Sequence, residues 1–117
     1  MSFLYSYVSS FFKGAEPVSP AILDGLHKTI NSQKVVVYSK TYCPYCTATK
    51  NLLKGSNQEF KLIELDQLQD GAVLQNGLEQ ITGQRSVPNI FINGKHIGGN
   101  SHLQDLNRSG KLSGLLA

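Results

Sequence analysis

The junction between residues 34–39 (KVVVYS) and Cys43-Pro44-Tyr45-Cys46 is what most constrains the fold of this chain. The first segment is a short β-branched run of the kind that makes a buried strand. Pro44 suits the first position of a helix, because its missing N–H would have no partner there. The chain therefore turns from strand into helix inside the cysteine motif. Cys43 falls at the helix N-cap, where free backbone N–H groups and the positive end of the helix dipole converge. A thiolate is stabilised at such a place, and Lys40 brings a positive charge to the same site. Cys46, one turn deeper, is the less exposed thiol and the natural partner for a disulfide with Cys43.

These are the only two cysteines among 117 residues. They enclose too short a loop to staple a small secreted fold. A reducing compartment, with the pair carrying out chemistry, is the better reading, and a cytoplasmic location is expected. Half a zinc site is an alternative, but His27 stands alone and His96 and His102 begin 50 positions beyond Cys46, far from the zinc-finger arrangement. Two inert core cysteines are another, although a C-x-x-C with an internal proline directly after a strand is a poor place for them. No metal is expected. The net charge of +3 is spread over scattered lysines and arginines, without the dense basic stripe that nucleic acid requires. A few lysines still favour a small anionic ligand.

The chain is one domain's worth, and its 40% apolar content supports a single modest core. Phe3, Leu4, Tyr7, Val8, Phe11 and Phe12 recur at helical spacing near the start. That stripe is too short to span a bilayer, and no basic residue precedes it as in a signal peptide. It reads as an extension that docks or frays, with a membrane-surface or organelle-targeting role as the alternative. Residues 14–20, with two prolines, read as a linker. The expected division is 1–19 for extension and linker and 20–117 for the domain.

From Ser19-Pro20 onward the pattern is regular. Ser19 caps a helix whose apolar face is Ile22, Leu23, Leu26 and Ile30. The strand at 34–39 follows, then a helix carrying Ala48, Leu52 and Leu53 that stops near Gly55. Phe60, Leu62, Ile63 and Leu65 suggest a second strand, and Leu74, Leu78 and Ile81 a helix ending at Thr82-Gly83. Residues 89–92 and 95–97 are strands joined by Asn93-Gly94, a strong hairpin signal. Gly98-Gly99 ends the second of them. Leu103, Leu106, Leu112, Leu115 and Leu116 supply one terminal helical segment. A strand–helix–strand unit followed by a helix and a hairpin is the order of the thioredoxin fold, an α/β architecture with a four-stranded mixed sheet flanked by helices.

SKTYCPYC and TGQRSVPNIFINGKHIGG, in this order of elements, resemble the CPYC-type dithiol glutaredoxins over nearly all of residues 20–117. The resemblance implies a glutathione-dependent thiol–disulfide oxidoreductase with Cys43 as nucleophile and Cys46 as resolving thiol. Glutathione is then the co-substrate. Lys40 and Gln75 match positions that hold its glycine carboxylate, and Tyr42 is included in the site. Tyr45 lies beside its sulfur. Val87 precedes Pro88, held in cis in the family, and pairs through its main chain with the cysteinyl backbone like an added strand. Gly98-Gly99 lets the backbone approach the ligand, and Gly99, Asn100 and Ser101 match positions at the γ-glutamyl end.

One departure stands out. Many relatives carry Asp-Asp where this chain has Ser101-His102, so a hydroxyl and backbone groups are expected to hold the γ-glutamyl end. His96 and His102 read as solvated surface residues. The partners implied are glutathione, glutathionylated proteins and proteins with disulfides. A monomer is expected, with no nucleic acid and no stable membrane insertion. A thioredoxin-type reductase is a rival reading, but the chain has no tryptophan for the usual Trp-Cys-Gly-Pro-Cys. The other rival is a glutathione-ligated iron–sulfur cluster protein, an arrangement that Pro44 disfavours in relatives.

Overall fold

A computed structural model describes residues 17–117. The apolar stripe between Phe3 and Phe12 lies outside the described residues. Helix α1 (Pro20–Ile30) begins where its cap predicts. The Ser19 Oγ accepts the Ile22 N–H at 3.3 Å, and Pro20 opens the first turn. Val18, just before it, is not free linker. Its side chain reaches the surface of a later helix near Gly77.

Four strands form one sheet in the order β2-β1-β3-β4. Strand β1 (Val35–Ser39) is interior and buried at every position, which explains why its sequence is apolar without alternation. Strand β2 (Lys61–Glu64) runs parallel to it, from Val36 opposite Lys61 to Ser39 opposite Glu64. The connection between them is helix α2 (Pro44–Gly55), the crossover that a parallel pair requires. Strand β3 (Asn89–Ile92) pairs antiparallel with β1, and β4 (Lys95–Gly98) antiparallel with β3. The Asn93-Gly94 turn has φ of +53° and +77°, the two positive values a two-residue hairpin of this hand needs.

Alternation along the strands divides the core into two layers. Val36, Tyr38 and Phe91 face α1 and helix α3 (Gly71–Thr82), meeting Leu26, Ile30 and Leu78. Val35, Val37, Ile90 and Ile92 face the opposite way, onto Leu53 of α2 and Leu103 of helix α4 (Asn100–Arg108).

Two expectations need correction. The second strand stops at Glu64, and Leu65 turns into a 3-10 segment (Leu65–Gln67) that buries it against the first layer. The terminal helical segment is two helices, α4 and α5 (Lys111–Leu116). They are broken at Gly110, whose φ of +79° lies outside the right-handed helical region. The apolar periodicity runs across the break because Leu112 packs into the same layer as Leu103. Among the described residues no helix is long and apolar enough to cross a membrane.

Candidate active site

The strand-to-helix junction has the geometry that its residue types dictate. Cys43 is the N-cap of α2, and its Sγ accepts the Cys46 N–H at 3.2 Å. The Cys43 carbonyl accepts the Thr47 N–H at 3.1 Å, closing the first helical turn. Its thiol is partly exposed and lies 3.7 Å from the Val87 carbonyl oxygen. Cys46 is fully buried beneath it, and both thiols are free. Burial pushes the Cys46 thiol up to about 11, and the hydrogen bond with Cys43 adds to this, only partly offset by Ser39 and the Lys40 backbone. One accessible sulfur thus sits at the positive end of a helix, and one protected, protonated thiol stands a turn behind it. Tyr42 and Tyr45 flank the pair with 71% and 68% of their surfaces exposed.

The loop that presents Cys43 is held by Asp66, a residue absent from the sequence-based site. Its carboxylate accepts the Thr41 N–H at 3.0 Å and the Thr41 hydroxyl as well. These bonds hold the Asp66 carboxyl below the usual carboxylate range. The parallel register accounts for the pairing. Ser39 stands opposite Glu64, so the residues two further along each chain, Thr41 and Asp66, leave the sheet side by side. That relation becomes readable only once the register is known.

A cleft of about 380 Å³ opens beside the cysteines. Tyr45 forms one wall, Ser86, Val87 and Pro88 a second, and Gly99, Asn100 and Ser101 a third. The Val87–Pro88 peptide is cis, as the resemblance implied. Gln84 supports this wall, its Nε2 donating to the carbonyls of Ser86 at 2.9 Å and Pro88 at 3.0 Å. Gln75 reaches the same loop from α3, donating to the Arg85 carbonyl at 2.8 Å. Tyr45, Val87, Pro88, Gly99, Asn100 and Ser101 therefore converge, whereas Lys40, Tyr42 and Gln75 stand outside the cleft lining.

The two glycines differ in what they do. Gly98 has φ of +116°, and a Cβ there would lie 2.7 Å from His102 Nδ1. The protein itself requires that glycine. At Gly99 a Cβ would meet nothing closer than the Pro88 carbonyl oxygen at 3.7 Å, so its small size leaves room in the cleft. Thr49 is a second residue that sequence reasoning missed. Buried on α2, its hydroxyl donates to Asn100 Oδ1 at 2.9 Å, and Gln104 Nε2 donates to the same oxygen at 3.2 Å. A hydroxyl in an otherwise ordinary helical position carried no local signal. His96 is exposed, as expected of a surface residue, but its ring is also held in place. Its Nε2 lies 2.8 Å from Asn89 Oδ1 and its ring packs on Phe91, while partial burial and nearby His102 lower its pKa. Among the described residues no three His, Cys, Asp or Glu side chains group as metal ligands.

Comparison with known proteins agrees with this geometry. A family model described as "Glutaredoxin" matches residues 35–97. A glutaredoxin of Vernicia fordii is 54% identical over 87 residues, covering 74% of this chain and 84% of the relative. Glutaredoxin-C2 of Arabidopsis thaliana is 53% identical over 87 residues, covering 74% and 78%. The crystal structure of a buckwheat glutaredoxin–glutathione complex superposes with a TM-score of 0.80 at 42% identity, covering 90% of this chain and 92% of that one.

Proposed function

This chain belongs to the glutaredoxin family and is a glutathione-dependent thiol–disulfide oxidoreductase, and from that premise we propose how its own residues divide the reaction. The observation that carries the proposal is the contrast between the two thiols. Cys43 is accessible at a helix N-terminus, and Cys46 is buried with its thiol pushed up to about 11. Cys43 is the nucleophile. Its thiolate attacks the glutathione sulfur of a glutathionylated protein, the protein thiolate leaves and takes up a proton, and Cys43 holds the glutathionyl group as a disulfide. A second glutathione, reacting as thiolate, attacks that disulfide. Oxidised glutathione leaves, and the Cys43 thiolate is restored.

In the second route Cys43 attacks a protein disulfide, and Cys46 then attacks Cys43 Sγ to release the reduced protein. The resulting Cys43–Cys46 disulfide is returned to the dithiol by two glutathione molecules. Cys46 is one helical turn from Cys43, which makes this closure local.

The cleft is the place for the glutathionyl group. The buckwheat relative, similar in fold over nine-tenths of this chain, was solved as a glutathione complex, which supports that placement. In this reading the Val87 main chain pairs with the cysteinyl residue of the ligand, Tyr45 and Tyr42 border its sulfur, and Gly99, Asn100 and Ser101 receive its γ-glutamyl end. Lys40 and Gln75 serve the glycine carboxylate. Gln75 already donates one hydrogen bond to the Arg85 carbonyl, so it would act from a fixed position. The partners are glutathionylated and disulfide-bearing proteins, met by a monomer in a reducing compartment.

The decisive experiment is a glutathione-coupled assay on wild type, Cys43→Ser and Cys46→Ser. Cys43→Ser should lose both routes. Cys46→Ser should keep deglutathionylation and lose reduction of protein disulfides. A Cys46→Ser enzyme inactive toward glutathionylated substrate would overturn the division of roles.

A further inference from the structure

The γ-glutamyl end of the cleft offers neutral hydrogen-bonding groups and no negative charge. None of its lining residues is a carboxylate. The acidic residue nearest in sequence, Asp105, is engaged with Arg108. Asn100 Oδ1 accepts from both Thr49 and Gln104, which fills the two lone pairs of that oxygen. In this arrangement the amide turns its oxygen toward Thr49 and Gln104. Its Nδ2 group lies on the opposite side of the amide, and among the described residues it makes no protein hydrogen bond. Thr49 is completely buried, so water does not compete for its bond. Beside Asn100 on the same wall stands the neutral Ser101 hydroxyl.

We propose that Thr49 is a positioning residue that turns the Asn100 amide donors into the cleft, so that this end of the site selects the α-carboxylate of a γ-glutamyl thiol and is indifferent to its α-amino group. The inference rests on the placement of the γ-glutamyl end argued above. An amide NH2 and a hydroxyl bind a carboxylate through charge-assisted hydrogen bonds. An ammonium group needs acceptors, and Asn100 Oδ1 is already occupied. The only other side-chain acceptor on this wall is the neutral Ser101 hydroxyl, with no carboxylate to pair with the charge. The substrate class therefore extends to mixed disulfides whose γ-glutamyl amine is missing or blocked.

The test compares three mixed disulfides of one cysteine peptide, at a fixed concentration of glutathione as the attacking thiol. The first carries glutathione, the second glutaryl-cysteinyl-glycine without the amine, and the third 4-aminobutyryl-cysteinyl-glycine without the α-carboxylate. For wild type the KM of the second should stay within about twofold of the first, and that of the third should rise about tenfold or more. Thr49→Val should raise the KM of the first two about threefold or more, leave kcat within about twofold, and narrow the discrimination against the third. Thr49→Ser, which keeps the hydroxyl, should restore wild-type values. A KM for the amine-free substrate raised as much as that of the decarboxylated one overturns the selectivity. A Thr49→Val enzyme with unchanged KM for all three overturns the role of Thr49. Absence of turnover with the glutathione disulfide in wild type would instead overturn the underlying placement, so the two failures are distinguishable.

Discussion

Asp66 accepts both the backbone N–H and the hydroxyl of Thr41, and so ties the turn after β2 to the loop that delivers Cys43. The bonds favour the ionised carboxylate, whose pKa is held below its ordinary value. A group depressed in the folded state stabilises above its unfolded pKa, about 3.9, and loses that contribution as pH falls through its folded value. Asp66→Ala should therefore lower the urea midpoint at pH 6, with the gap to wild type closing well below pH 4. A gap of equal size at pH 3 and pH 6 would show that the carboxylate charge is not what holds the loop. The same variant should slow the reaction of Cys43 with substrate, because the loop is less confined.

Cys46 offers a pH signature of the opposite sign. Its thiol is raised from 9.0 to about 11, first by burial and then by Cys43. The unfolded chain releases this proton before the folded one does. The contribution to stability is present below about 9 and is lost as pH rises toward about 11. Iodoacetamide at pH 7 should label Cys43 in the native protein and leave Cys46 untouched, as read by mass spectrometry of peptides. Two labels at pH 7 under native conditions would contradict the buried, protonated state.

Lys50 and Glu64 join α2 to β2 at 2.9 Å, with 15% and 18% of their side chains exposed. Glu64 Oε1 has no further partner. Lys50→Met leaves a poorly solvated carboxylate alone and should cost about 1–3 kcal/mol, less than a fully buried pair would. Lys50→Met combined with Glu64→Leu should recover most of that loss, since no charge is then stranded. Urea denaturation of both variants checks this, and a double variant no better than the single would refute it.

Gly71 opens α3 against the 3-10 segment. A Cβ there would stand 1.9 Å from the Leu65 carbonyl oxygen, a backbone atom that cannot rotate away. Gly71→Ala should destabilise the fold by about 2 kcal/mol or more, with overpacking as the cause. It should also disturb the cysteine loop, because Asp66 lies in the displaced segment. Gly55→Ala, where a Cβ meets nothing within 4 Å, is the matched control and should change little. Equal effects at the two positions would remove the steric explanation.

Most of the fold was legible because local signals were strong and agreed. Ser19-Pro20 starts α1, Gly83 with φ of +80° ends α3, and Asn93-Gly94 makes the hairpin. The C-terminal break was missed because Leu103 and Leu112 both serve one layer, so apolar spacing continues across Gly110. At the site, Cys43, Cys46 and the Val87-Pro88 wall were readable. Asp66, Thr49 and Gln84 were not, since each works through one partner remote in sequence or through backbone carbonyls.

The sequence by itself determined the strand-to-helix junction and therefore the roles open to the two sulfurs, because proline, a β-branched run and capping act within a few residues. Only the tertiary structure decided what surrounds them. The parallel register brings Asp66 to Thr41, and the packing of α4 on α2 brings Asn100 to Thr49. Hydrogen bonds between such residues depend on distances set by the whole core, and no local pattern encodes those distances.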